Sequence, residues 1–130
     1  QQPHPPIYIG DSSDAALRRV AKYGDVWHPL KPTPEQILAD QPRLEAALEN
    51  ERRSAVGFPV APKVSLTFQD SPPADGQAPT EGRSQDIVDA LKRIRDAGAT
   101  EFCFDAAAET EQVVLDTIEQ FVQEIRLKLK

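Results

Sequence analysis

Short apolar runs alternate with longer helical stretches along this chain. Ile7-Tyr8-Ile9 is β-branched and aromatic, follows Pro5-Pro6 and stops at Gly10, which predicts a strand. Ser12 or Ser13 then offers an N-cap to a helix with Ala16, Leu17, Val20 and Ala21 on one face and Gly24 as its stop. Asp25-Val26-Trp27-His28 is a second, very short strand closed by Pro29. Thr33-Pro34-Glu35-Gln36 is a strong helix start, with a Thr cap, a Pro at the first position and a Gln placed to complete a capping box. Ile37, Leu38, Gln41, Leu44 and Leu48 extend that helix's inner face, and Pro42 inside it removes one backbone bond. The third strand is Lys63–Phe68, with Val64, Leu66 and Phe68 on one side and Lys63, Ser65 and Thr67 on the other. Ser84 caps a third helix facing inward through Ile87, Val88, Leu91 and Ile94 and ended by Gly98. Glu101–Asp105 is the fourth strand. Thr110 caps the last helix, expected to bury Val114, Leu115, Ile118, Phe121, Val122, Ile125 and Leu129, while Arg126, Lys128 and Lys130 complement its C-terminus.

Strand then helix, four times over, predicts an α/β fold with a parallel sheet and right-handed crossovers. Each unit takes about thirty residues, and eight such units close a barrel of about 250. Four units over residues 1–130 therefore make half of a (β/α)8 barrel of the TIM type. All four helices carry one wide apolar stripe, as expected of a single outer ring. A half-barrel leaves its concave strand face and two sheet edges open, which parallel sheets avoid. The chain is expected to need a partner: the missing half, or a second copy of itself in a homodimer. Residues 69–83 are long for a βα connection and are expected to form a flexible loop, as a mobile lid or plain disorder.

Composition narrows the function. A net charge of −6 disfavours a nucleic-acid or anionic-membrane partner, because both require a basic field. No apolar run approaches a membrane span. The single cysteine, Cys103, cannot form an internal disulfide, which fits a reducing, cytoplasmic setting, and between Phe102 and Phe104 it reads as a small core residue. Methionine is absent even from position 1, so the chain is expected to be processed, trimmed or cut from something longer. Two distant histidines and one cysteine make no zinc site. Gly10-Asp11-Ser12-Ser13-Asp14 fails the nucleophile-elbow pattern at its last position, and no Walker loop or dinucleotide glycine fingerprint occurs.

Residues 5–29, Pro-Pro-Ile-Tyr-Ile-Gly-Asp-Ser-Ser-Asp-Ala-Ala-Leu-Arg-Arg-Val-Ala-Lys-Tyr-Gly-Asp-Val-Trp-His-Pro, resemble the fifth-strand region of the luciferase-like monooxygenase family. The form there is roughly Pro-Pro-Ile-Trp-Ile-Gly-Gly, a Ser-containing turn, Ala-Ala-Leu-Arg-Arg-Ala-Ala, then Gly-Asp-Gly-Trp. The Trp27-His28-Pro29 ending is most similar to the actinobacterial branch that uses the deazaflavin coenzyme F-420. Gly82–Val88, running on to Asp96-Ala97-Gly98-Ala99, resembles the family's penultimate helix. The resemblance implies strands five to eight, the C-terminal half of the barrel. It implies a parent oxidoreductase moving a hydride between a small-molecule substrate and F-420, or alternatively FMN. The chain alone, lacking half the mouth, is expected to be inactive and to hold no catalytic residue by itself. The rival reading is a non-enzymatic half-barrel that self-associates into a pseudo-barrel.

On the same resemblance, Gly10, Ser12 and Ser13 match the turn that holds the cofactor's phosphate. Free N–H groups and the helix dipole favour an anion there. The plainer reading is that a serine merely caps the helix. Asp11 replaces the family's second glycine, so it either points away or marks a lost site. Trp27 and His28 would face the mouth, one stacking on a flat ring and the other exchanging a proton; core packing and a backbone-bonded imidazole are the alternatives. Asp105, at the end of the last strand, is a candidate substrate ligand or a turn cap. Arg83 is a candidate for an anion of substrate or cofactor, or a solvated loop cation.

Overall fold

The computed structural model describes residues 2–106 and 110–129; Lys130 lies outside them. Strand β1 (Tyr8–Gly10) leads into helix α1 (Asp14–Tyr23), and β2 (Val26–His28) into α2 (Pro34–Asn50). Then come β3 (Lys63–Ser65), β4 (Thr67–Phe68), β5 (Glu81–Gly82), α3 (Ser84–Asp96), β6 (Cys103–Asp105) and α4 (Glu111–Gln120). A π-helical turn, Phe121–Ile125, and a 3-10 turn, Arg126–Leu129, extend α4. The helix starts follow their side-chain chemistry. Ser13, rather than Ser12, caps α1 by accepting from the Ala16 amide at 3.2 Å. Thr33 and Gln36 form the reciprocal capping box of α2, at 3.2 and 2.8 Å. For α3, Ser84 is already inside the helix and Arg83 stands at the cap, its amide donating to Asp86.

The sheet is a parallel arc in the order β1-β2-β3-β6. Tyr8, Ile9 and Gly10 align with Val26, Trp27 and His28, and Lys63, Val64 and Ser65 with Cys103, Phe104 and Asp105. Parallel bridges Trp27–Val60 and Leu30–Lys63 join the two pairs. The third strand, expected unbroken from Lys63 to Phe68, divides at Leu66. Up to Ser65 it pairs with β6; beyond Leu66 it pairs in parallel with β5, Thr67 opposite Glu81 and Phe68 opposite Gly82. The stretch 69–83, expected to form a flexible loop, includes the short strand β5, and Thr80 is buried with its hydroxyl donating to the Ser65 carbonyl. The fourth strand is shorter than Glu101–Asp105. Pro62 has no N–H to offer, and only its carbonyl pairs, with the Cys103 amide at 3.0 Å.

All four helical segments pack on one side of the arc. Trp27, Val60 and Val64 of the strand region meet Leu17 and Val20 of α1, Ile37, Leu44 and Leu48 of α2, Ile87, Leu91 and Ile94 of α3, and Ile125 in one core. This is the single outer layer of a barrel and not the two-sided cover of a doubly wound sheet. Two inward expectations fail. Leu38 is 54% exposed. Leu115, Ile118 and Val122 are 52%, 50% and 44% exposed, because α4 flanks the last strand of the arc and no described element lies beyond it. Two polar groups tie the layer together. Gln41 donates to the Ala97 carbonyl at 2.8 Å, beside Gly98, whose φ of +115° ends α3 in a conformation that glycine alone adopts freely. Arg53 donates to the Ala21 and Gly24 carbonyls at 2.8 Å each and to Val20 at 3.3 Å, closing the C-terminus of α1.

Candidate functional site

Successive strand residues point to opposite faces. Ile9, Trp27, Val64 and Phe104 turn toward the helices, so their neighbours Tyr8, His28, Lys63, Cys103 and Asp105 stand on the open face. This face is concave. Four strands in a flat sheet would place the first and last about 14 Å apart, yet the Tyr8 hydroxyl of β1 donates to the Glu101 carboxylate, just before β6, at 2.9 Å. That hydrogen bond and the Glu101 charge push the Tyr8 phenol above its ordinary value. Tyr8 also meets the His28 ring edge-on, centroids 6.0 Å apart.

Toward the C-terminal ends of the strands, Lys63 Nζ sits 2.8 Å from Asp105 Oδ2, and this bond raises the Lys63 ammonium's pKa. His28 is half-buried, its Nδ1 2.5 Å from the Ala61 carbonyl, which fixes the ring and leaves Nε2 as its other polar atom. An apolar cavity of about 450 Å³ opens beside Asp105, between Leu66, Phe104, Val114, Ile118 and Phe121. The open face thus carries a wall of polar, titratable groups, while the apolar hollow lies behind it, between β6 and α4.

Trp27 does not join this wall. It is fully buried on the helix side, and its indole N–H donates to the Asp11 carbonyl at 3.0 Å. It offers no face for ring stacking and instead anchors the turn after β1. Arg83 is also engaged elsewhere: its guanidinium grips Asp86 at 2.7 and 3.1 Å, which raises its own pKa and lowers that of Asp86. Cys103, expected in the core, is exposed on the open face, since its register opposite Lys63 puts it on the strand side away from the helices.

In the turn Gly10–Ser13, Asp11 has φ +78°, the left-handed conformation that a glycine would take without strain. Its carboxylate curls back and accepts from the Ser12 amide at 2.7 Å and the Ser13 hydroxyl at 3.0 Å. These two bonds, the amide first, hold its pKa below the ordinary carboxylate value. Asp14 opens the helix with a second negative charge, and the nearby cation, Arg43, is shared between Asp14, at 2.5 Å, and Asp40. The cleft of about 350 Å³ beside the turn is lined by Asp11, Ser12, Leu30, Pro32, Gln36 and Asp40, among others, with no lysine or arginine. The arrangement does not fit a phosphoryl group. Donors that would meet one are bonded to Asp11, and the cleft lining carries carboxylates, with Arg19 acting on Asp11 only through space. Among the described residues, no group of three or more His, Cys, Asp or Glu side chains is placed to hold a metal.

Two solved structures align over nearly all of the chain. The coenzyme F-420-dependent tetrahydromethanopterin reductase from Methanopyrus kandleri matches with a TM-score of 0.72 and 14% identity, over 96% of this chain and 51% of that one. An F-420-dependent secondary alcohol dehydrogenase, in complex with an F-420-acetone adduct, matches at 0.74 and 12% identity, over 98% of this chain and 49% of that one. The fold is that of half a (β/α)8 barrel, shared with these two proteins. The chain spans about half the length of either structure, and no family model matches its sequence. On the open face of the half-barrel the residues that sequence reasoning missed are Tyr8, Lys63 and Glu101. Lys63 had a signal, because it lies on the opposite side of its strand from Val64. Among the described residues no helix is long and apolar enough to cross a membrane.

Proposed function

We propose that this chain is the C-terminal half of a luciferase-like oxidoreductase barrel, the class of protein that works with F-420 or FMN, and that it supplies one wall of the substrate pocket. The single observation that carries the reading is the concave polar face, Tyr8, His28, Lys63, Glu101 and Asp105, on a parallel arc with every helix behind it. The near-complete alignment to two F-420-dependent enzymes supports it. The redox chemistry belongs to the coenzyme and the protein supplies position and charge. On this wall, His28 holds or accepts a proton at Nε2 while Ala61 fixes the ring, and the Lys63–Asp105 pair presents a hydrogen-bonding edge to substrate. Because half the mouth is absent, the chain alone is inactive and binds neither coenzyme.

Fluorescence titration tests this. The chain alone leaves F-420 and FMN fluorescence unchanged at micromolar concentrations. Joined to a complementary four-unit half, the assembled barrel quenches one of them. Micromolar binding by the chain alone refutes the inactivity, and binding of neither by the assembled barrel refutes the oxidoreductase reading.

The exposed stripe Leu115, Ile118 and Val122 favours a second reading, in which two copies close on each other through their open edges. Light scattering separates the cases. If that reading holds, a dimer forms and replacing all three residues by Gln returns it to monomer. A monomer before and after the change removes the self-associating form.

A further inference from the structure

We propose that Asp11 is the built-in occupant of the first mouth turn: its carboxylate stands where an external phosphoryl group would sit and excludes one, so this turn is closed to the coenzyme's phosphate. The inference rests on the proposed oxidoreductase reading only for the expectation that a phosphate belongs here. The exclusion itself is read from the geometry.

Three features carry it. First, the carboxylate is a bidentate anion already seated on the donors of the turn, Oδ1 on the Ser12 amide and Oδ2 on the Ser13 hydroxyl. Ser13 Oγ is in turn occupied as acceptor of the Ala16 amide, so the hydroxyl is spent in both directions. Second, Asp11 cannot readily swing away with its backbone. Its carbonyl is held by the indole of Trp27, which is fully buried, and its φ of +78° fixes the direction of the side chain over the following residues. Third, the cation that acts on the turn, Arg19, stabilises the Asp11 charge only through space and lines no part of the adjoining cleft. The adjoining cleft is lined by Asp11 and Asp40, while Arg43 is committed to Asp14 and Asp40. A phosphate would have to displace an internal anion tethered at high effective concentration and then sit beside two more carboxylates. A glycine at position 11 would keep the left-handed turn, free the Ser12 amide and the Ser13 hydroxyl, and remove one negative charge.

The experiment is titration of the full chain with inorganic phosphate and pyrophosphate at constant ionic strength. It is read by the fluorescence of Trp27, the sole tryptophan, and by the amide resonances of Ser12, Ser13 and Ala16. Wild type, Asp11→Gly and Asp11→Asn are compared, with circular dichroism confirming the fold. The expected result is no saturable response in wild type and saturation in Asp11→Gly at a concentration at least tenfold lower than any seen in wild type. Asp11→Asn can keep the cap without the charge and falls between the two. If Asp11→Gly does not fold, Asp11→Asn decides, and its gain over wild type sustains the proposal. Equal binding by wild type and variants overturns it, as does a folded Asp11→Gly that gains nothing. Failure here leaves the F-420 and FMN titration of the assembled barrel untouched, so the two readings fail separately.

Discussion

Replacing Arg53 by Ala should be the most damaging single change at a polar residue of this fold. The guanidinium reaches from the segment after α2 to the end of α1, where Nη1 meets the Ala21 and Gly24 carbonyls at 2.8 Å and Val20 at 3.3 Å. Those carbonyls lie at the negative end of the helix dipole; the Val20 carbonyl also accepts from the Gly24 amide at 2.8 Å, so the Ala21 and Gly24 carbonyls depend most on the guanidinium. A hydrogen bond from a charged group contributes about 1.5–3 kcal/mol. The three share one nitrogen and water replaces part of them after truncation, so their joint contribution is set at about 2 kcal/mol. Loss of the guanidinium from over the Phe58 ring, 5.3 Å from its centroid, adds about 0.5–1 kcal/mol at a partly exposed site. The expected loss is about 2–3 kcal/mol, or a fall of roughly 10 °C in Tm for a chain of this size. Arg53→Lys, which keeps the charge but not the fork, should lose about half as much. Urea unfolding followed by circular dichroism measures both. An Arg53→Ala midpoint within experimental error of wild type, at unchanged m-value, would show that α1 does not depend on this cap.

Two further outcomes follow from the same geometry. Gly98→Ala forces a Cβ to within 2.1 Å of the Gln41 amide nitrogen at a φ of +115°, so it should cost about 1–3 kcal/mol in backbone strain and also loosen the Gln41–Ala97 bond; a stability equal to wild type in urea would contradict this. Asp11, Asp14 and Asp86 have folded-state pKa values below their ordinary 3.8. The stability they contribute is therefore fully present above pH 3.8 and is lost as pH falls through the lower folded values. Urea midpoints measured from neutral pH downward should hold until about pH 4 and then decline; a midpoint that rises on acidification would be incompatible with these pairings.

The repeating strand and helix pattern was legible because the signals are local. Thr33 and Gln36 specify one helix start, and Ile87, Val88, Leu91 and Ile94 specify one buried face, without reference to the rest of the chain. The failures are those where burial is decided by what lies alongside. Leu115, Ile118 and Val122 carry the same helical spacing as the core positions of α3, but no neighbour covers them. The split of the third strand at Leu66 was hidden because its alternation is uninterrupted, and the change of partner from β6 to β5 is a tertiary fact. Within the site, the alternation rule already forbids Trp27 and His28 from facing the same way, and the apolar member of such a pair goes to the core. The left-handed turn at Asp11 could be anticipated from the glycine of the resembling pattern. That its carboxylate would close on Ser12 and Ser13 could not, since a short acidic side chain at this position can equally point to solvent.

The bond between Tyr8 and Glu101 acts as the string of a bow. It spans the concave face from the first strand to the approach of the last and so fixes the arc's width. Anything that opens or tightens the curvature, a docking half or a second copy, must stretch this chord or release it. The Tyr8 phenol, its pKa raised by the carboxylate beside it, would ionise at lower pH once the chord is released, so a pH titration of tyrosine absorbance would report the change.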